Sequence, residues 1–369
     1  MRHIGRIPTE DNAVSPAIRV LVCAGLCLAV PLPAIGADRA IDIRDFGAAG
    51  DGKTLCTAAI QRAIDQCAAR GGGTVRLPEG TWLTGTVYLQ SNLTLVLEKG
   101  CTLLGSRKHE DYGRARASAD AAGSRAAPFR YAAVLAGSDL QNVTIRGEGT
   151  IDGQGDAFRD KSKLRPKNLY LQRCRNVVLR DIAAENTSQT GCSITGLPGH
   201  PIRDVVLENV RIGFDGGGTK DLARRAIPER EDGYPECTMF GPLPAYGFYC
   251  RHVEGLVLRK VELRTRQADL RHALVFDDVK RLEIESLEAD CAKGAAAVLR
   301  LAQVEGAVVR RSIAPAHADP FLLLEGGRTR QIVLEQLDLS RAVQGVHLGA
   351  GASAQAVSSG GAAPDRGKP

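Results

Sequence analysis

Residues 174–212 read CRNVVLRDIAAENTSQTGCSITGLPGHPIRDVVLENVRI, and they hold the same phrase twice. A polar residue leads an alternating apolar run in Asn176-Val177-Val178-Leu179 and again, 28 residues later, in Asp204-Val205-Val206-Leu207. Working outward, the phrase recurs upstream as Asn92-Leu93-Thr94-Leu95 and Asn142-Val143-Thr144-Ile145. Downstream it returns at Gly255, Arg281, Gly306 and Gln331, at spacings of 25 or 26 residues. Alternation over a few residues marks a strand with one buried face. A fixed period in the twenties built from such strands marks a solenoid.

A leucine-rich repeat has a similar period, but its leucine framework and asparagine slot are missing here. The expected fold is therefore all-β: a single right-handed parallel β-helix, whose stacked coils each contribute two or three short strands around an apolar interior. With 41 glycines and only 4% aromatic residues, the composition suits short strands and many turns. One segment departs from the pattern. Between Thr57 and Ala69, Ala59, Ile60, Ala63, Ile64 and Cys67 fall at helical spacing, and Gly71-Gly72-Gly73 ends the run. Such a helix would cap the open end of the stack, where core and strand edges would otherwise be bare. The expected solenoid covers residues 37–345, with the cap and first coils in 37–105. Loops are expected at 108–130 and 214–249, and a disordered Gly/Ala/Ser-rich tail at 346–369.

Residues 1–36 read as a signal peptide. Arg2, Arg6 and Arg19 precede an apolar run from Val20 to Val30, followed by the small residues Ala34, Gly36 and Ala37. That run is too short to span a bilayer. The chain is expected to be exported, to the periplasm or the medium, without a membrane span and as a monomer. The net charge of +6 falls to +5 once the three arginines and two acids of residues 1–36 are removed. The basic residues are scattered and no aromatic residues interleave with them, which disfavours nucleic acid as a partner. Eight cysteines remain after residue 36, and export permits either disulfides or buried thiols. No CxxC or HxxxH spacing suggests zinc, and no metal or cofactor is expected. Cys56 and Cys67 share a helix face three turns apart, too far to bond to each other.

Several motifs carry a resemblance. Asp45-Phe46-Gly47-Ala48, Asp51-Gly52, Gly72-Gly73-Thr74-Val75 and Pro78-Glu79-Gly80-Thr81 resemble the N-terminal cap of pectin-degrading β-helix enzymes. The stretch Gly149-Thr150-Ile151-Asp152-Gly153-Gln154-Gly155, then Arg165-Pro166 and Cys174-Arg175-Asn176-Val177, is similar to glycoside hydrolase family 28, the polygalacturonase family. Gly191-Cys192-Ser193-Ile194-Thr195-Gly196, Tyr234-Pro235-Glu236, Met239-Phe240-Gly241 and residues 243–249 are similar to a bacterial branch of it. The resemblance covers roughly residues 40 to 340. It implies inverting hydrolysis of galacturonide bonds, in which one carboxylic acid protonates the leaving oxygen and carboxylates opposite activate water.

The resemblance also implies Asn-Thr-Asp, Gly-Asp-Asp, Gly-His-Gly and Arg-Ile-Lys phrases on neighbouring coils, and this chain has none of the four. Asp277-Asp278 follows Phe276 instead of glycine, His200 is followed by Pro201, and Arg211-Ile212 is followed by Gly213. Asp152 belongs to a glycine turn. The segments that flank the family's catalytic coils are here nearly joined across 183–189, as though whole coils had been removed. A solenoid tolerates such a loss because each coil touches only its neighbours.

Two readings follow. One is a hydrolase with relocated acids, for which Asp181, Asp204 and Asp277 are the candidates, with Glu185 near the seam. Alternation leaves Asp181 either inward or at a corner. The other is a β-helix that binds a pectin-like acidic polysaccharide or oligosaccharide without cleaving it, using Tyr246, Tyr249, Arg251 and His252 to stack on sugars and pair with carboxylates. Little or no hydrolase activity is expected. A lyase would need an acidic cluster for calcium, which the sequence does not display.

Overall fold

The computed structural model describes residues 40–112, 133–158, 166–185, 192–229 and 240–360. The expected signal peptide and the middle of both predicted loops lie outside these residues. The described chain is a right-handed parallel β-helix whose coils turn through three faces.

The repeated phrase forms the first face, from Gly73–Leu77 and Leu93–Leu97 through Gln141–Arg146 and Arg175–Arg180 to Val357–Gly360. Its register confirms the sequence alignment of the phrases. Leu93, Val143, Val177, Val205, Leu256, Leu282, Ala307, Ile332 and Val357 pair in succession, one per coil. Most of this row is fully buried, and each leucine or valine so placed stabilises the fold by about 1.5–3 kcal/mol. The second face repeats the device with Trp82, Leu103, Ile151, Ala184, Ile212, Leu263 and Ala289.

The polar residue that opens each phrase has a backbone explanation. Asn92, Asn142, Asn176, Asp204, Gly255, Arg281, Gly306 and Gln331 all have positive φ, between 52° and 76°. The chain must turn a corner there in the left-handed region, which asparagine, aspartate and glycine enter most readily. The asparagines also stack: Asn142 Nδ2 donates to Asn92 Oδ1 at 2.7 Å, and Asn176 Nδ2 to Asn142 Oδ1 at 2.8 Å. A second corner row holds Asp181, Asn209, Lys260, Ser286, Arg311 and Gln336, and a third holds Asp139, Arg173, His252, Asp278 and Gln303.

The third face comes in two parts. Val87–Tyr88, Ala133–Ser138 and Lys167–Gln172 form one short stack. Cys192–Thr195, the leading part of Ala245–Thr265, that of His272–Glu285, and then Leu299–Ala302, Leu322–Glu325 and Val346–Leu348 form the other. Among the described residues no strand pairing joins the two parts, whereas the first and second faces run past the same point unbroken. Among the described residues, the break in pairing near 183–189 affects the third face alone.

The helix Thr57–Ala69, α1, buries the five residues that its spacing indicated and closes the N-terminal end against Gly73–Leu77 and the strands beside it. Two expectations need correction. The tail at 346–369 is not disordered throughout, because Val346–Leu348 and Val357–Gly360 add a further coil. Parallel pairing is made by backbone groups, so a Gly/Ala/Ser-rich segment extends the stack once Val346 and Val357 fall in register with Leu322 and Ile332. The loop at 214–249 is likewise shorter than expected, since regular pairing resumes at Ala245 and a short helix, Lys220–Ala223, interrupts it. All seven described cysteines are thiols; burial pushes Cys101 up to about 12 and Cys291 up to about 11. No helix among the described residues is long and apolar enough to cross a membrane.

Candidate functional site

Strand alternation decides which side chains of the third face point out. Phe248, Leu274, Leu299, Leu322 and Val346 form one inward row, and Cys250, Phe276, Leu301, Leu324 and Leu348 another. The outward rows are Tyr249, Val275, Arg300, Leu323 and His347, and beside them Arg251, Asp277, Ala302 and Glu325. This outer face, bordered by the corner residues His252 and Asp278, is the candidate site.

Asp277 is its distinctive group. Among the described residues it has no hydrogen-bond or ion-pair partner, and burial raises its carboxyl above the usual range although Arg251, Arg300 and His252 pull the other way. The next residue is driven in the opposite direction. Burial works against the charge of Asp278, but a 2.7 Å contact with His252 Nδ1 and a 2.9 Å ion pair with Arg328 outweigh it and hold the carboxyl low. Two adjacent carboxyls with divergent proton affinities are a pattern that acid–base chemistry uses. The other acids around Asp277 are engaged. Glu325 pairs with Arg300 at 2.7 Å, and Glu229 Oε1 lies 3.1 Å from both Arg251 Nη1 and His252 Nε2. The arrangement offers one carboxyl raised by burial and flanked by guanidinium groups and, among the described residues around it, no second carboxylate free of cationic partners.

The remaining candidates from sequence fall elsewhere. Asp181 is a corner residue whose Oδ1 accepts from Asn209 Nδ2 at 2.8 Å, and Asp204 is an exposed corner residue 3.8 Å from Arg281. Both acids are where they are because aspartate tolerates the left-handed corner, and neither lies on the outer third face with Asp277. The expectation that Tyr246, Tyr249 and Arg251 stand open to a sugar is corrected, since these residues are 2%, 2% and 3% exposed. Tyr246 points inward with Phe248 and Cys250; its hydroxyl donates to the Asp290 carbonyl at 2.6 Å, and its ring meets Phe214 edge-on. Tyr249 and Arg251 point outward, but Ile227, Phe240 and Leu243 cover them. His252 is mostly buried between Glu229 and Asp278.

Sequence reasoning missed Glu229, Arg300 and Arg328. Coil arithmetic could have found Arg300, which lies 25 residues beyond Val275 and so beside Asp277 on the next coil. A separate cleft of about 370 Å³, lined by Asp139, Leu140, Gln141, Arg173 and Arg175, sits at the third corner row, where Arg173 is already paired with Asp139.

The stacked coils are those of the pectin-lyase fold. A family profile described as rhamnogalacturonase A/epimerase, pectate lyase-like, matches residues 40–229, and the chain belongs to that family. A probable polygalacturonase of Vitis vinifera is 39% identical over 124 residues, covering 30% of this chain and 24% of that protein. An exo-poly-alpha-D-galacturonosidase of Dickeya chrysanthemi is 39% identical over 125 residues, covering 32% of this chain and 20% of its own length. The matches therefore span a quarter or less of these relatives. Among solved structures, the polygalacturonase from Erwinia carotovora ssp. carotovora aligns over 81% of this chain and 77% of its own, at 14% identity and a TM-score of 0.48.

Proposed function

We propose that this polygalacturonase-like chain is an exported β-helix that engages pectin-like acidic galacturonides at the outer third face, and hydrolyses them weakly or not at all. The observation that carries the reading is the state of the carboxyls around Asp277. Inverting hydrolysis needs a protonated acid and a second carboxylate about 6.5–9.5 Å away with water between them. Asp277 suits the first role, but Asp278, Glu229 and Glu325 are each held by a cationic side chain, which fixes their direction and, for Asp278, holds the carboxyl low. The absence of the four catalytic phrases of glycoside hydrolase family 28 supports the same conclusion. Binding is favoured by Arg300 and Arg328, whose guanidinium groups can exchange an internal carboxylate for that of a uronic acid.

Reducing-end release from polygalacturonate and rhamnogalacturonan, measured beside retardation in a polygalacturonate affinity gel, tests this. Retardation with release near background is expected. Release that disappears in Asp277→Asn, Asp181→Asn or Asp204→Asn would overturn the non-hydrolytic reading and identify the relocated acid. Absence of retardation would overturn the binding role.

A further inference from the structure

The covered pair Arg251–His252 has the chemistry of an acidic-sugar subsite that is already filled from within. The Arg251 guanidinium lies 5.2 Å from the Phe240 ring centroid and 5.7 Å from that of Tyr249. Its Nη1 donates to the Ile227 carbonyl at 2.8 Å and meets Glu229 Oε1 at 3.1 Å, and Nη2 donates to the Pro228 carbonyl at 3.2 Å. Its Nε is buried without a partner among the described residues. The same Glu229 oxygen lies 3.1 Å from His252 Nε2. One carboxylate oxygen thus lies within reach of two nitrogens, one of them on a guanidinium beside two aromatic rings, which is where a uronate carboxylate would sit.

Glu229 holds this place weakly. Its side chain is 44% exposed, and a single oxygen makes both contacts, so the two-point grip of a bidentate arginine–carboxylate pair is not used. The segment 227–229 grips Arg251 through two carbonyls, but of these three residues only Ile227 joins the apolar cluster of Phe240, Leu243, Tyr249 and Val275.

We propose that Glu229 is an internal competitor: it occupies a uronate-carboxylate subsite formed by Arg251, His252 and the Tyr249 ring, and an external uronic acid displaces it. The inference rests on the galacturonide-binding reading for its choice of ligand. When a site is open only a fraction of the time, its apparent affinity falls by that fraction. If Glu229 closes the subsite nine-tenths of the time or more, removing its charge raises the affinity for digalacturonate about ten-fold or more.

The experiment is calorimetric titration of the full chain with digalacturonate, for the wild type, Glu229→Gln and Glu229→Ala, with a thermal melt of each. Both variants are expected to bind more tightly than the wild type. The gain should shrink in Glu229→Ala/Arg251→Lys or, if that protein does not melt cooperatively, in Glu229→Ala/His252→Gln. Unchanged affinity in both single variants overturns the inference, as does a gain that survives the second substitution. Retardation of the wild type by polygalacturonate separately judges the binding function, so a retarded wild type with unaltered variants would leave that function standing without the competitor.

Discussion

The first and third faces are built on the same inward rows and the same left-handed corners, yet they differ in what lies outside. On the first face, outward charges answer each other from coil to coil: Arg180 with Glu208, Arg259 with Glu283, and Arg310 with Glu283 and Glu285. On the third, residues 227–229 and 240–243 cover Tyr249 and Arg251, and Asp277 stands beside them unpaired. The first face pairs without a break through Arg175–Arg180, whereas no described pairing joins Lys167–Gln172 to Cys192–Thr195 on the third. Interior stacking is therefore the common requirement, and the outer surface of each face is free to specialise. Function should be sought where the outer surface departs from charge pairing.

The largest expected effect concerns what the faces share. Phe276 is fully buried in the third face between Cys250 and Leu301. Phe276→Ala should cost about 3–5 kcal/mol in urea unfolding. Leu207→Ala, buried at the equivalent depth in the first face, should cost about 2–5 kcal/mol. A loss much smaller for Phe276 would mean that the third face contributes less to the stack than the first.

The covering segment has its own anchor. Arg271 and Asp269 form a 2.7 Å ion pair with side chains 1% and 0% exposed. Arg271 Nη1 also donates to the Leu243 and Ala245 carbonyls, and Asp269 accepts from the Gly218 amide. Removing one member of a buried pair strands the other charge, at a cost of about 3–5 kcal/mol. Arg271→Leu should lose about 3 kcal/mol and speed proteolysis between residues 218 and 243. Unaltered proteolysis would show that the cover is held by its apolar contacts alone. On the corners, Asn142→Ala should cost about 1–2 kcal/mol and Asn142→Gly less, because alanine pays the left-handed penalty that glycine avoids. Equal losses would assign the effect to the lost side-chain ladder. On the first outer face, Glu283→Gln should change stability by less than about 1 kcal/mol, and less still in high salt.

Much of this was legible in sequence for one reason. Alternation and period are local properties, and the register of one phrase on the next follows from them. Asn142, Asn176 and Asp204 stood out in the sequence as leaders of the repeated phrase, although the left-handed corner that places them there was not visible. What alternation cannot report is whether an outward side chain stays in solvent. Tyr249 and Arg251 do point outward, and only the return of residues 227–229 and 240–243 buries them. The acids misled for the opposite reason. Asp181 and Asp204 looked chemical in sequence, while the left-handed backbone is sufficient cause for an aspartate at each.

The smallest expected effect sharpens the contrast between adjacent carboxyls. Burial raises Asp277 in the folded state, so the native protein retains a proton that the unfolded chain releases as pH passes the ordinary value of 3.8. Stability then falls with rising pH from 3.8 to the raised folded value and stays at the lower level above it. Asn at 277 carries no charge to bury, so Asp277→Asn should remove that decline and leave the protein at least as stable as the wild type at neutral pH. Asp278 has the opposite sign. Its carboxyl is held low by His252 and Arg328, so its contribution is present above 3.8 and is lost as pH falls through the folded value. The difference between the urea stabilities of the wild type and Asp277→Asn should therefore grow above pH 3.8, whereas that for Asp278→Asn should shrink below it. A flat difference for Asp277→Asn across pH 3 to 7 would mean that this carboxyl is solvated like any surface acid. It would then have no claim to the role of proton donor.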